Sequence, residues 1–145
     1  MIVVAGDHAG YNLKNKVKVW LKKQGQDVFD AGADKFDDQD SYVDYAKSAI
    51  NHFSKSAKAD DKLILICGSG VGMSIVANRH KNIRAVLAYS TKQVIQGRKH
   101  NNANCLCVGA RNTCFLKTKH LIKKFLQTEF LGGKYQKRID SIDNV

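Results

Sequence analysis

The sequence predicts an α/β fold: a single Rossmann-like three-layer domain with a five-stranded parallel sheet and helices on both faces. Three observations lead there. Short apolar runs alternate with longer stretches of helical periodicity along the whole chain. The 145 residues contain no proline, no repeat and no low-complexity linker, so residues 1–145 read as one domain. The runs Ile2–Ala5 and Leu63–Ile66 are apolar throughout rather than alternating, the pattern of strands buried on both faces.

The elements follow in order. Ile2–Ala5 is the first strand, and residues 10–24 carry Leu13, Val17, Trp20 and Leu21 at helical spacing, with Gly25 as a left-handed stop. Asp27–Asp30 reads as a short second strand and 31–40, acidic and polar, as a loop. Tyr42, Tyr45, Ala49, Ile50 and Phe53 form the stripe of a second helix. Lys62–Ile66 is the third strand; Gly68-Ser69-Gly70-Val71-Gly72 leads from it into a helix ending near Arg79. Arg84–Ala88 reads as the fourth strand, 91–99 as a helix, Asn104–Val108 as the fifth strand and Thr113–Gln127 as a long helix. Residues 134–143 read as a charged tail, helical at most. With right-handed crossovers the expected strand order is 2-1-3-4-5. In that order ligands bind where the connections diverge, at the carboxyl ends of strands one and three. The residues there are Gly6-Asp7-His8 and Cys67-Gly68-Ser69.

Composition narrows the function. Apolar residues make up 43% and charged residues 26%, ordinary values for a globular domain. No apolar stretch is long enough to span a membrane and no leader pattern opens the chain, which predicts a cytoplasmic protein. The net charge of +11 suggests an anionic partner: a nucleic acid, a membrane surface or a phosphorylated metabolite. Nucleic acid is the weakest of these, because the basic residues lack interleaved aromatics and a recognition helix. Lys14, Lys16, Lys18, Lys22 and Lys23 read as a solvated helix face.

Gly68, Gly70 and Gly72 stand between a buried strand and a helix. Their backbone amides can converge on a negative oxygen at the positive end of that helix, suited to a phosphate or an enolate; a plain tight turn is the other reading. Neither the G-x-x-x-x-G-K-S/T nor the G-x-G-x-x-G spacing is present. Met73 stands where a cysteine phosphatase would need arginine. Cys67 precedes the loop, where the start of a helix favours the thiolate, a general base or nucleophile. It could equally be a small buried apolar residue. Cys105 and Cys107 alternate on one face of the fifth strand and read as core, and no metal-ligand spacing links Cys114 and His120 to them, so no metal site is expected. His52, His80 and His120 read as surface. His8, beside Asp7, and His100, opening the polar turn His100-Asn101-Asn102-Ala103-Asn104, are candidate acid–base groups. Gly132-Gly133 followed by Lys134, Lys137 and Arg138 is a hinge followed by cations: a phosphate clamp or a solvated tail.

Taken together, five motifs resemble the ribose-5-phosphate isomerase B family, related to the galactose-6-phosphate isomerase subunits, over about residues 1–140. They are Gly6-Asp7-His8-Ala9-Gly10, Ile66-Cys67-Gly68-Ser69-Gly70-Val71-Gly72, His100 to Asn104, Gly109-Ala110-Arg111, and Gly132 through Arg138. The resemblance implies an aldose–ketose isomerase of ribose 5-phosphate and ribulose 5-phosphate working through an enediolate. It implies no metal or organic cofactor, and a homodimer or dimer of dimers with sites between subunits. Cys67 would move the proton, with Ser69 beside it, and Gly68 to Gly72 would hold the oxyanion. Asp7 and His100 would open the sugar ring, His100 from the neighbouring subunit with Asn101 beside it. His8, Arg111, Lys134 and Arg138 would hold the phosphate, the tail from about residue 132 completing that site, and Tyr42 and Tyr45 would lie near the sugar. Lys134 stands where arginine is usual, Ser69 where threonine is frequent, and Val43 where proline is common. Cys67 and His100 occur in one chain, which favours a self-sufficient pentose-phosphate isomerase over the divided galactose-6-phosphate subunits; a six-carbon (allose or galactose 6-phosphate) isomerase and a flavodoxin-like phosphate-binding module are the alternatives.

Overall fold

The computed structural model describes residues 1–56, 58 and 60–142. Residue 143, the end of the expected tail, lies outside them. The chain runs β1 (Ile2–Gly6), α1 (Tyr11–Lys23), β2 (Val28–Asp30), α2 (Tyr42–Ser56), β3 (Lys62–Cys67), α3 (Val71–Asn78), β4 (Ala85–Leu87), α4 (Thr91–Asn101), β5 (Cys105–Gly109), a 3-10 turn (Ala110–Asn112), α5 (Phe115–Gln127) and α6 (Lys134–Ile139). The strands pair in parallel as one sheet.

Alternation along the strands separates two apolar layers. Ile2, Val4, Ile64, Ile66, Leu106 and Val108 pack with Leu13, Val17 and Leu21 of α1, Val94 of α4, and Leu121, Ile122 and Phe125 of α5. Val3, Ala5, Leu63, Leu65, Cys105 and Cys107 face the other way, onto Ala49, Ile50 and Phe53 of α2 and Met73 and Ala77 of α3. Each such fully buried aliphatic side chain contributes about 1.5–3 kcal/mol. Among the described residues, no helix is long and apolar enough to cross a membrane.

The strand order is β2-β1-β3-β5-β4, not 2-1-3-4-5. All five residues of β5 are buried, so it needs a neighbour on each side, whereas three-residue β4 is only half-buried and suits an edge. The exchange pairs Cys67 with Gly109 across β3 and β5, which brings the turn after β5 beside the cysteine.

Two local readings change as well. Lys14 is fully buried rather than solvated; its Nζ donates to both oxygens of Asp30, at 3.0 and 2.9 Å, and to the carbonyl of Ala33 at 2.7 Å. It sits on the core face of α1, four residues after Gly10 and three before Val17, where a long stem is buried and its ammonium finds a carboxylate. His100 and Asn101 form the last turn of α4, which Asn102 ends at a positive φ of 44°, so the polar turn begins two residues later than expected.

Candidate active site

The ends of β1, β3 and β5 enclose a cleft of about 280 Å³. Asp7, His8 and Ala9 line it after β1, Cys67, Gly68, Ser69 and Gly72 after β3, and Arg111 and Asn112 after β5; Tyr42 reaches in from α2. The expected switch point is therefore where the cleft lies, with β5 adding a third wall. The Arg111 backbone N–H donates to the Gly68 carbonyl at 3.0 Å, and a side chain on Gly68 would come within 3.2–3.3 Å of the guanidinium.

Cys67 ends β3 almost completely buried, its Sγ accepting the Gly70 backbone N–H at 3.1 Å. The bond requires the loop to double back, which Gly70 does at a φ of 79°. The Val71 N–H is likewise taken within the loop, by Ser69 Oγ at 3.2 Å. Tyr89, after β4, donates its hydroxyl to the Ser69 carbonyl at 2.8 Å and tethers the loop from outside. A Cβ on Gly72 would lie 2.7–2.8 Å from the Tyr42 ring, so the glycine lets that ring close the cleft. Cys105 and Cys107 are core residues, as their alternation predicts. The hydrogen bond shared with Cys105, together with burial, raises the Cys107 thiol well above the usual range, which leaves it unreactive.

Asp7 and His8 form the opposite wall. Burial raises the Asp7 carboxyl above the ordinary carboxylate range, against the pull of the Gly10 N–H, which Oδ1 accepts at 2.9 Å, and of His8. Nδ1 of His8 lies 2.6 Å from Oδ1 of Asp40. Ligand atoms of Asp7, His8 and Asp40 all lie within 4.8 Å of one another. Three of them are engaged within the protein: Nδ1 with Asp40, Asp7 Oδ1 with Gly10 N, and Asp40 Oδ1 with His8. The grouping is thus a hydrogen-bonded one.

The other expected site residues stand apart. His100 stacks on Tyr135 of α6 at 4.7 Å between ring centroids, with Lys134 Nζ 5.4 Å and Arg138 Cζ 5.6 Å from that tyrosine's ring. His100 on α4 and Lys134, Tyr135 and Arg138 on α6 form a second cluster that does not line the cleft of their own chain. Asn101 borders a different hollow, with Arg84 and Val86. Val71 is exposed at the head of α3, and Tyr45 packs against the core between α2 and the sheet instead of entering the cleft. Asp40, Asn112, Tyr89 and Tyr135 escape the sequence reading. Asp40 is one of four aspartates within 34–40, and nothing in that run distinguishes it.

A family model described as Ribose/Galactose Isomerase matches residues 2–142. This chain belongs to the ribose/galactose isomerase family. Among the relatives of this isomerase chain is a probable ribose-5-phosphate isomerase B of Mycoplasma genitalium, 38% identical over 141 residues, 97% of this chain and 92% of that one. The crystal structure of a ribose-5-phosphate isomerase B from Mycoplasma genitalium with bound ribulose-5-phosphate superposes with a TM-score of 0.92 at 38% identity, covering 99% of this chain and 93% of the other. A D-erythrulose-4-phosphate isomerase 2 of Mycolicibacterium smegmatis is 36% identical over 131 residues, 89% of this chain and 85% of that protein.

Proposed function

We propose that this isomerase interconverts ribose 5-phosphate and ribulose 5-phosphate, with Cys67 as the base. The observation that carries the proposal is the thiol at the head of α3, in a cleft that also holds Asp7, His8 and Arg111, with its sulfur accepting the Gly70 N–H. That hydrogen bond sets a donor N–H at the head of α3 against the sulfur that takes the proton. The thiolate takes the C2 proton of the open-chain aldose, and the electron pair forms the C1=C2 bond of an enediolate with negative charge on O1. The remaining amides of the Gly68–Gly72 loop hold that oxyanion, with Ser69 Oγ beside it. A proton passes from O2 to O1, and the thiol returns its own proton to C1, leaving the ketone at C2. Asp7, whose carboxyl burial raises above the ordinary carboxylate range, assists ring opening together with His100.

On this reading His8 and Arg111 bind the phosphate from one side of the cleft. The His100, Lys134 and Arg138 cluster, with Asn101 next to it at the end of α4, reaches the cleft of a second copy, so the working unit is a cytoplasmic homodimer or dimer of dimers. The separation of that cluster from its own cleft supports the arrangement. Tyr42 contributes the sugar-facing wall; Tyr45 does so only through packing.

Cys67→Ala tests the reading in a coupled assay with ribose 5-phosphate. Removing a general base lowers kcat by about 100- to 10,000-fold with the fold retained, and activity within a few-fold of the unmodified enzyme would remove Cys67 from the reaction. A panel of four-, five- and six-carbon sugar phosphates on the unmodified enzyme separates the pentose phosphate from its homologues; turnover of none of them would leave a phosphate-binding module.

A further inference from the structure

Asp40 does not line the cleft; it stands behind His8. One of its oxygens, Oδ1, accepts from His8 twice, from the backbone N–H at 3.1 Å and from Nδ1 at 2.6 Å. The Asp40 side chain is only 5% exposed, and its other oxygen is buried with no hydrogen-bond partner. A buried carboxylate is costly unless a cation meets it, and the group placed to do so is the His8 imidazole. A carboxylate that holds both the ring and the backbone of one histidine also fixes that ring against its own main chain.

Three charged groups face His8: Asp40 from the loop before α2, Asp7 beside it after β1, and Arg111 from the turn after β5. The Asp40 hydrogen bond is the largest influence and raises His8 above the ordinary histidine value; Asp7 acts in the same direction, while desolvation and Arg111 oppose.

We propose that Asp40 is the positioning residue of the phosphate site: it turns Nδ1–H of His8 back onto its own carboxylate, sets a negative charge against the ring, and leaves Nε2–H as the donor offered to the substrate's phosphate. The phosphate half of this inference rests on the isomerase reading. Asp40 pairs with His8 across 32 residues of sequence. The competing account is a mechanical tether that pins the 31–41 loop onto the end of β1, and it needs an acceptor at position 40 but no charge.

Asp40→Asn separates the two, because asparagine keeps the acceptor and the shape and loses the charge. In the free protein, nitrogen-15 spectra follow the His8 ring, assigned by its loss in His8→Gln. The unmodified protein should show Nδ1–H retained and a titration above the ordinary histidine value of about 6.5; in Asp40→Asn that titration moves to lower pH. In the isomerase assay followed across pH, at values between the His8 titrations of the two proteins, Asp40→Asn should raise KM for ribose 5-phosphate and the inhibition constant of inorganic phosphate by up to about tenfold, the scale of one charge-assisted hydrogen bond, with kcat little changed. At acid pH the two proteins converge, since both imidazoles are then charged. An unchanged His8 titration in Asp40→Asn, or a neutral Nε2–H ring titrating normally in the unmodified protein, would overturn the inference; the second result decides the matter even if Asp40→Asn does not fold. A shifted titration with unchanged KM and phosphate inhibition would overturn the phosphate half. If the unmodified protein turned over no sugar phosphate, the isomerase reading would fail, while the spectra would still decide what Asp40 does to His8.

Discussion

Gly70 and Gly25 both sit at positive φ, 79° and 75°, and alanine at the two positions isolates what the site asks of its loop. The conformational cost of a Cβ in the left-handed region, about 1–2 kcal/mol, is common to both. Around Gly25 there is nothing within 4 Å, so Gly25→Ala stops at that cost. A Cβ on Gly70 would lie 2.7 Å from Leu87 Cδ1, 2.9 Å from the Val108 carbonyl carbon and 3.0 Å from the Gly109 nitrogen. Leu87 can swing aside, but the other two atoms belong to the backbone of buried β5, and forcing them apart adds about 1–3 kcal/mol. Gly70→Ala should therefore lose about 2–5 kcal/mol in urea unfolding followed by circular dichroism, and Gly25→Ala about 1–2 kcal/mol. Catalysis separates the pair further. Relieving the overlap at Gly70 moves its N–H off the Cys67 sulfur, and a hydrogen bond to a charged group is worth about 1.5–3 kcal/mol, or roughly 10- to 100-fold in kcat. Gly25→Ala should keep kcat. Equal destabilisation by the two changes, or normal kcat in folded Gly70→Ala, would refute the argument that the loop is held against β5 to serve the thiol.

Two further outcomes test the rest of the structure. Cys67→Ala and His100→Ala, each nearly inactive, should regain roughly a quarter of the normal sites when unfolded and refolded together, because half the dimers are mixed and each mixed dimer carries one intact site; no gain despite confirmed mixed dimers would put both residues in one subunit's site or outside catalysis. Lys14→Met should cost about 3 kcal/mol by removing one member of a buried ion pair, although Lys18, 2.6 Å from Asp30, still holds the carboxylate. Burial opposes ionisation of Asp30, but the hydrogen bonds from Lys18 and Lys14 outweigh it and hold the carboxyl below its usual range. A depressed carboxyl contributes stability that is complete above its unfolded value and lost as pH falls through the folded one. The gap between the two proteins should narrow below about pH 4, and a gap independent of pH in acid unfolding curves would count against the ion pair.

The sequence by itself determined the element list and the place of the cleft. Helical periodicity around Val17 and Leu21, the Gly25 stop, and the unbroken apolar runs of β1 and β3 are local signals, written in residues a few positions apart. Strand alternation likewise separated core Cys105 and Cys107 from Cys67 at a strand end. Tertiary structure decided what depended on which distant segments came together. The exchange of β4 and β5 turned on which strand could be buried on both sides, and it carried Arg111 to the cleft beside Cys67. The buried Lys14 was on a core face legible from spacing, yet its partners, Asp30 and the Ala33 carbonyl, came from the next strand and loop. His100 met Tyr135 only because α6 folded back against α4. Asp40, indistinguishable among its neighbouring aspartates, acquired its role because the 31–41 loop delivered one carboxylate to His8 while the others remained elsewhere. Periodicity records which way a side chain faces; only packing records what it faces.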